Sequence, residues 1–503
     1  MQELSQREHY QGNEPNAFLL PTAISVSLLF RLGLLFLPAP GRDEATYYFW
    51  SQHNEPAYAF LLQILIKLCL YLPLSDIIAM RMPSFLGGIL VAGALHTLLK
   101  KHNVDSQTRH ILLATVILTP WQIYVGSILH PDSIFLAVLL LAALAASSKN
   151  HALFSMCVAL SVLAKPTGVV ILPVGLLYIF MLKEISFSRK ILFAVFILAI
   201  ASPALLSMNK PMLAAMAEFG KISGEISGMQ VLFITLVSLF GLGGMTLPYA
   251  GLTSIRREWQ NALKHILKPG ENSFPLLAAA SLLITFGAAA LLRNQIKGNW
   301  LLPAFVLLLP YFNYRIPKIL ILSNFLITIL ISTGMALFFI FPDSISQIKK
   351  YSGFIDKTYA SQAGTREEKI STTSSWHDRM KEYQSIDPFT KTVQNFWQHA
   401  SGASTPPTWI ISDDYGLAAQ LAYRWNKCQS ILVIPADGIF FRFLQQANKK
   451  MHGSVLVLAV HKPARKIWQK LPEAGTKEII RHPITNSNIE LAVVHIADEG
   501  LDE

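Results

Sequence analysis

Charge is scarce in this chain. Of 503 residues only 15% are Asp, Glu, Lys or Arg, and 52% are apolar; a soluble domain carries about 25% charge. The scarcity is local. Apolar runs dominate residues 18–341, whereas 342–503 has ordinary polarity. A single soluble globule is thereby excluded, and the pattern predicts a polytopic membrane protein with a polar C-terminal part. Cysteine is scarcer still: Cys69, Cys157 and Cys428 lie far apart, so neither a disulfide framework nor a Cys/His metal cluster is indicated. There is no Walker-A sequence, no GxGxxG that opens a helix after a strand, and no HExxH. Their absence removes the usual signatures of soluble nucleotide binding and zinc hydrolysis. No internal repeat is present, and no low-complexity tract beyond the stretch after residue 342.

A basic balance remains. Lys and Arg exceed Asp and Glu by 11, which the basic cytoplasmic loops of a membrane protein account for without nucleic acid. The partner this predicts is the lipid bilayer, with its anionic headgroups. The first apolar run, 18–37, has neither a basic segment before it nor a small-x-small site after it, so it is expected to stay as a span.

A span needs about 20 mainly apolar residues. On that rule about eleven helices are expected, near 17–38, 82–99, 110–129, 132–147, 151–164, 167–182, 190–207, 230–253, 274–292, 300–313 and 317–341. The stretch 57–74 carries Gln63 and Lys67 and follows Glu55-Pro56; it is expected to lie at the interface or re-enter rather than cross. With the N-terminus in the cytoplasm, the short cytoplasmic loops hold most of the Lys and Arg. Asp43, Asp132 and the C-terminal part then share the opposite, non-cytoplasmic face. Three regions follow: a transmembrane catalytic domain over 1–341, a Ser/Thr-rich linker over 342–375, and a domain over 376–503. In the last, runs at 409–412, 431–434, 455–460 and 490–496 read as strands, and 417–425 and 440–447 as helices. A small α/β fold is expected there.

The acidic pair Asp43-Glu44 stands just past the first apolar run, followed by Tyr47, Tyr48 and Trp50. Carboxylates beside hydrocarbon are costly and tend to be kept for function. In a partly desolvated pocket a carboxylate can serve as general base toward a hydroxyl or amine. The aromatics serve as interface anchors or as substrate contacts. A second acid, Asp132, follows His130-Pro131 at the start of an apolar helix, where it can also act as an N-cap. Lys165, in Ala164-Lys165-Pro166-Thr167-Gly168, lies on the same face. So do Lys210 and the pair Arg293 and Lys297, which on one helical face would clamp a phosphate. Acids for an acceptor and cations for a departing phosphate fit group transfer from a lipid-linked phosphate donor. The rival from another class is a transporter or flippase of lipid-linked sugars, which would place charges deep within spans and show repeat symmetry. No motif requires a cofactor or a metal, although oxygen ligands of this kind accept Mg²⁺ or Mn²⁺.

These residues resemble a known group. Asp43-Glu44-Ala45 with residues 47–50, Arg81-Met82-Pro83-Ser84, His130-Pro131-Asp132 and Ala164-Lys165-Pro166-Thr167-Gly168 are similar to bacterial polyprenyl-phosphate-dependent glycosyltransferases of the GT-C fold. That group contains the protein O-mannosyltransferases and the aminoarabinose transferase of lipid A (families 39 and 83). Asn299-Trp300-Leu301-Leu302-Pro303-Ala304 and the segment 413–422 extend the resemblance to nearly the whole chain. It implies transfer of a sugar from an undecaprenyl-phosphate-linked donor to a periplasmic lipid, glycan or protein. Asp43 would be the catalytic acid, with Glu44 beside it and Asp132 as a second acidic site. Tyr47, Tyr48, Trp50 and His130 would line the substrate. Relatives follow the acidic loop with a His- or Lys-Pro-Pro segment that serves the donor phosphate, where this chain has Asn54-Glu55-Pro56-Ala57. Lys165, Arg293 and Lys297, and then Lys210, become the phosphate candidates in its place.

Overall fold

The computed structural model describes residues 18–37, 39–53, 59–207, 243, 246–254, 270, 273–293, 298–312, 317–340, 376–407, 409–412, 415–425, 430–433, 453–459, 477–481 and 488–496. The first helix, α1 (Leu19–Leu35), is followed by two short ones, α2 (Arg42–His53) and α3 (Phe60–Leu70). At 1.5 Å per residue α3 is about 16 Å long, roughly half of a hydrocarbon core, so it does not cross. The long helix α4 (Asp76–Lys101) comes next. It begins six residues before the expected span, and at about 39 Å it is long enough to cross with residues to spare.

The expected span at 110–129 is not one helix. It is α5 (Ser106–Ile117) and the short α6 (Pro120–Val125). Thr119 precedes a proline, which disfavours helical backbone at that residue. Its extended backbone lets its hydroxyl cap α6 by accepting from Gln122 N at 3.2 Å. Next come α7 (Pro131–Ser147), α8 (His151–Ala164), a 3-10 turn at Pro166–Val170, α9 (Ile171–Met181) and α10 (Phe187–Ser207). Of the span expected at 230–253, residues 243 and 246–254 are helical, and the rest lies outside the described residues. The helical part ends with α11 (Phe274–Arg293), α12 (Leu302–Leu308) between two 3-10 turns, and α13 (Lys318–Ile340).

The distribution of side chains is that of a membrane protein. Leucine, isoleucine and phenylalanine face outward in stripes: Ile319, Leu322, Leu326 and Leu330 on α13, and Ile191, Leu192, Val195 and Leu198 on α10. Leu330 is 77% exposed. Meanwhile Arg31, Glu44, Arg81, Asp132 and Lys165 are buried inside. A surface this apolar is matched to hydrocarbon rather than water. Among the described residues, Asp76–Lys101 and Phe187–Ser207 are each long and apolar enough to cross a membrane by themselves, and several apolar helices are shorter.

The polar C-terminal part begins with α14 (Trp376–Ser401) and α15 (Tyr415–Arg424). Five strands form one sheet in the order β2-β1-β3-β5-β4: β1 (Trp409–Ser412), β2 (Ser430–Val433), β3 (Gly453–Ala459), β4 (Lys477–Arg481) and β5 (Asn488–Ile496). β1 pairs in parallel with β2 and β3, and β5 antiparallel with β3 and β4. The expected strands are present. β4 went unread because Lys477-Glu478-Ile479-Ile480-Arg481 is an edge strand with only two apolar residues, and charge on an edge is how sheets avoid pairing with other chains. The helix expected at 440–447 and the linker lie outside the described residues.

Candidate active site

The acidic loop is built around one arginine. Arg81, on α4, is fully buried. Its Nε donates to Glu44 Oε1 at 2.8 Å and its Nη2 to Glu44 Oε2 at 3.0 Å, a forked ion pair. The remaining donors reach Leu34 O (3.3 Å), Leu35 O (3.0 Å), Leu37 O (2.8 Å) and Ala39 O (2.9 Å). These include carbonyls of the last turn of α1, which a helix end leaves without partners. The planar five-donor fork of arginine is what makes so many contacts possible from one side chain. Glu44 accepts two more hydrogen bonds, at Oε2 from Gly41 N (3.0 Å) and at Oε1 from Leu129 N (2.8 Å). Glu44 was a catalytic candidate. With four donors converging on its two oxygens inside the protein, it holds the loop and offers no lone pair to a reactant.

Asp43 precedes it in the first turn of α2 and is half-buried. Because Glu44 reaches Leu129, this turn packs against the segment that leads into α7. There His130, not Asp132, occupies the cap position. Its Nδ1 accepts from Asp132 N at 3.2 Å, which places the ring proton on Nε2 when the imidazole is neutral. Ser84 fixes the same turn: its hydroxyl donates to His130 O (3.0 Å) and accepts from His130 N (2.8 Å).

Asp132 is 1% exposed and joins three elements. Lys165 Nζ donates to its Oδ1 at 2.5 Å, Asn299 Nδ2 to its Oδ2 at 2.8 Å, and Trp121 Nε1 to Oδ2 at 3.4 Å. Lys165 ends α8 in extended backbone, as the residue before a proline tends to, and Gly168 closes the turn with its N–H on Lys165 O at 2.8 Å. A side chain at Gly168 would fall on the Ser161 carbonyl, so the Lys-Pro-Thr-Gly run reads as one compact loop that aims Lys165 inward. The ammonium neutralises Asp132 here rather than facing an open anion site. This donor set does not suit a divalent cation: the Asp132 and Glu44 oxygens already face ammonium, guanidinium and amide groups. Among the described residues no three His, Cys, Asp or Glu side chains gather as metal ligands.

The aromatic candidates turn inward. Tyr47 packs edge-on against Trp50 with centroids 5.7 Å apart, and both are buried. Tyr48 feels the Asp76 charge and meets Tyr423 of α15 at 5.1 Å between ring centroids. Burial first, and then the Asp76 charge, raise the Tyr48 phenol above its ordinary value; burial and the same neighbours push Tyr423 up to about 12. Arg293 ends α11 and its side chain lies outside the described part, as do Lys210 and Lys297. Three contributors were not singled out for the site from the sequence: Arg81, Asn299 and Trp121. Arg81 and Asn299 stood in the motifs, but nothing in a linear sequence shows that one reaches Glu44 and the other Asp132.

No family model matches the chain, and no curated protein is similar to it in sequence. Solved structures do match in fold. The apo structure of ArnT from Cupriavidus metallidurans aligns over 94% of this chain and 97% of its own, with a TM-score of 0.52 and 11% identity. The same protein bound to undecaprenyl phosphate aligns over 97% of this chain and 100% of its own, with a TM-score of 0.51 and 11% identity. This chain is built on the fold of ArnT, a polytopic membrane GT-C transferase, from end to end.

Proposed function

We propose that the protein is a membrane glycosyltransferase that moves a sugar from a polyprenyl-phosphate donor to an acceptor on the periplasmic face of a bacterial inner membrane. The observation that carries this reading is the buried Asp132–Lys165–Asn299 cluster. It stands against the turn that presents Asp43, within a fold whose solved example binds undecaprenyl phosphate. In the proposed step an acceptor hydroxyl oxygen attacks the anomeric carbon and gives its proton to Asp43. The bond from that carbon to the phosphate oxygen breaks, and the polyprenyl phosphate leaves with the bond's electron pair. Arg293 and Lys297 are assigned to that leaving charge, since cations placed where charge develops lower the barrier. The Lys165–Asp132 pair holds the loops that bear these groups. The C-terminal sheet lies on the same side as Asp43 in this reading, and the acceptor is a lipid, glycan or protein hydroxyl.

The test is transfer of a radiolabelled sugar from a synthetic undecaprenyl-phosphate sugar into envelope lipid and protein fractions by the purified protein. Asp43→Asn should lower turnover about 10²-fold or more, the usual range for loss of a general base, with the folded yield unchanged. Retention of more than a tenth of wild-type turnover would remove Asp43 as the base. No transfer from any polyprenyl-phosphate sugar, with folded protein, would overturn the reading itself.

A further inference from the structure

The helix that carries Asp43 is gripped from two sides, and one grip comes from the C-terminal part of the chain. α2 has twelve residues, a length at which a helix depends on packing to hold its place. Arg81 and Glu44 fix its first turn against α4, the end of α1 and the turn at Leu129. On the other side lies α15, whose Leu417, Ala418 and Leu421 are buried and which also packs on β1, β2 and α14. Gln420, 2% exposed, donates its Nε2 to Pro40 O at 3.2 Å, three residues before Asp43. Tyr423 packs edge-on against Tyr48, with ring centroids 5.1 Å apart. At Gly416 the approach is so close that a Cβ would overlap the Arg42 side chain and lie 2.8 Å from its Cβ. Arg42 is the neighbour of Asp43.

From this contact we infer that the C-terminal sheet domain is a strut for the reaction: Gln420, Tyr423 and Gly416 are positioning residues that set where α2 presents Asp43. The sheet braces α15, α15 braces α2, and the loop before Asp43 is held by Gln420 from one side and by Arg81 and Glu44 from the other. Placing a side chain at Gly416 should push Arg42 and the first turn of α2 aside. Misplacement of a reacting group by about 1 Å costs on the order of 10²-fold in rate.

The inference rests on the transferase reading, so its test has one arm that needs no catalysis. A spin label is attached at Gln52→Cys on the exposed face of α2, with the native cysteines replaced, in full-length protein in nanodiscs. Its mobility should rise in Gly416→Ala and Tyr423→Ala and stay as in wild type for Tyr423→Phe, which keeps the ring. In Gly416→Ala the added substitution Arg42→Gly, which removes the side chain in the way, should bring the mobility back down. In the transfer assay Gly416→Ala should lose at least tenfold in kcat with the donor KM within twofold, and Arg42→Gly should restore most of it. Unchanged label mobility in both Gly416→Ala and Tyr423→Ala would overturn the strut, as would raised mobility with unchanged kcat. If either variant does not fold, the other carries the test. Wild-type protein without transfer from any donor would remove the transferase reading alone, since the label still reports the grip.

Discussion

Removing Arg81 should be among the most damaging single changes in the helical part, and the reason is electrostatic. Arg81→Met keeps much of the length and volume but leaves the Glu44 carboxylate buried with no cation, and takes the guanidinium donor from Leu35 O, Leu37 O and Ala39 O and from Leu34 O, which keeps Leu37 N at 3.3 Å. Breaking a buried pair by deleting one partner costs about 3–5 kcal/mol, and each carbonyl that water cannot reach adds about 1 kcal/mol or more. Glu44→Gln is milder. The amide keeps one acceptor oxygen, loses either the acceptor shared by Gly41 N and Arg81 Nη2 or the one shared by Leu129 N and Arg81 Nε, and leaves the guanidinium on its carbonyls. The double variant removes both charges, so its cost should fall at least about 1.5 kcal/mol below the sum of the two singles, within the range for side chains in contact.

The assay is reversible unfolding in mixed micelles by titration with a denaturing detergent, followed by circular dichroism. Additivity within about 0.5 kcal/mol would refute the pairing. The same variants separate holding from chemistry at Glu44. If it only holds the loop, Glu44→Gln loses turnover in proportion to the folded fraction. A fall of 10²-fold in kcat at full folding would make it a catalytic group after all.

Asp132→Asn and Lys165→Met should each destabilise by about 3 kcal/mol or more, because each leaves one charge buried beside Trp121 and Asn299, and the double variant should recover part of that in the same unfolding titration. Arg293→Ala should raise the donor concentration needed for half-maximal rate with acceptor dependence unchanged, and Arg293→Lys should restore only part, since lysine lacks the fork; equal donor curves would remove Arg293 from the phosphate site. Gly88→Ala or Gly126→Ala should cost about 1–3 kcal/mol, because a methyl at either position meets the Arg31 guanidinium, which donates to Gly126 O at 3.0 Å and Ser27 Oγ at 3.0 Å. His102, past the end of α4 and packed on Tyr311, has its pKa lowered to about 4 by burial, then by Lys101. The unfolded chain takes up that proton first, so the contribution of His102 is full above its ordinary value of 6.5 and is lost as pH falls toward 4; His102→Phe should flatten stability over that window.

Composition alone announced the helical membrane part, because a run of 20 apolar residues has few other uses, and the strands at 409–412 and 455–460 were legible for the same kind of reason. Boundaries failed where one residue overrode the apolar pattern: Pro120 divided what reads as a continuous stretch into α5 and α6. The acids were legible as a group, and Asp43, Glu44 and Asp132 were named together. Their separate characters were not. Whether a carboxylate is a reactant or a fastening depends on what stands opposite, and Glu44 meets Arg81 from 37 positions away while Asp132 meets Lys165 and Asn299 from 33 and 167 away. No spacing rule spans such distances. Arg31, a lone cation in an apolar run, has the sequence pattern of a snorkelling residue, whereas the fold turns it inward to Gly126.

The two buried ion pairs explain why a site for charged chemistry can be assembled at a membrane edge at all. A fastening made of hydrophobic packing would stabilise the bundle at least as well, since buried pairs seldom outperform apolar residues of similar volume. It would not fix directions. The Arg81 fork joins the end of α1, the loop at 37–41, α2 and α4, and through Glu44 the turn at Leu129; Asp132 joins α7, the loop after α8 and the 3-10 turn at Gly298–Trp300. Each hub ties together segments at helix ends, where the helix itself leaves backbone groups without partners. The hubs also leave both Glu44 and Asp132 neutralised by a cation of their own. Asp43 stands on the turn that both the helices around Arg81 and α15 hold in place. In the proposed transfer Asp43 is the acid assigned the proton, and the two hubs then set where that acid stands.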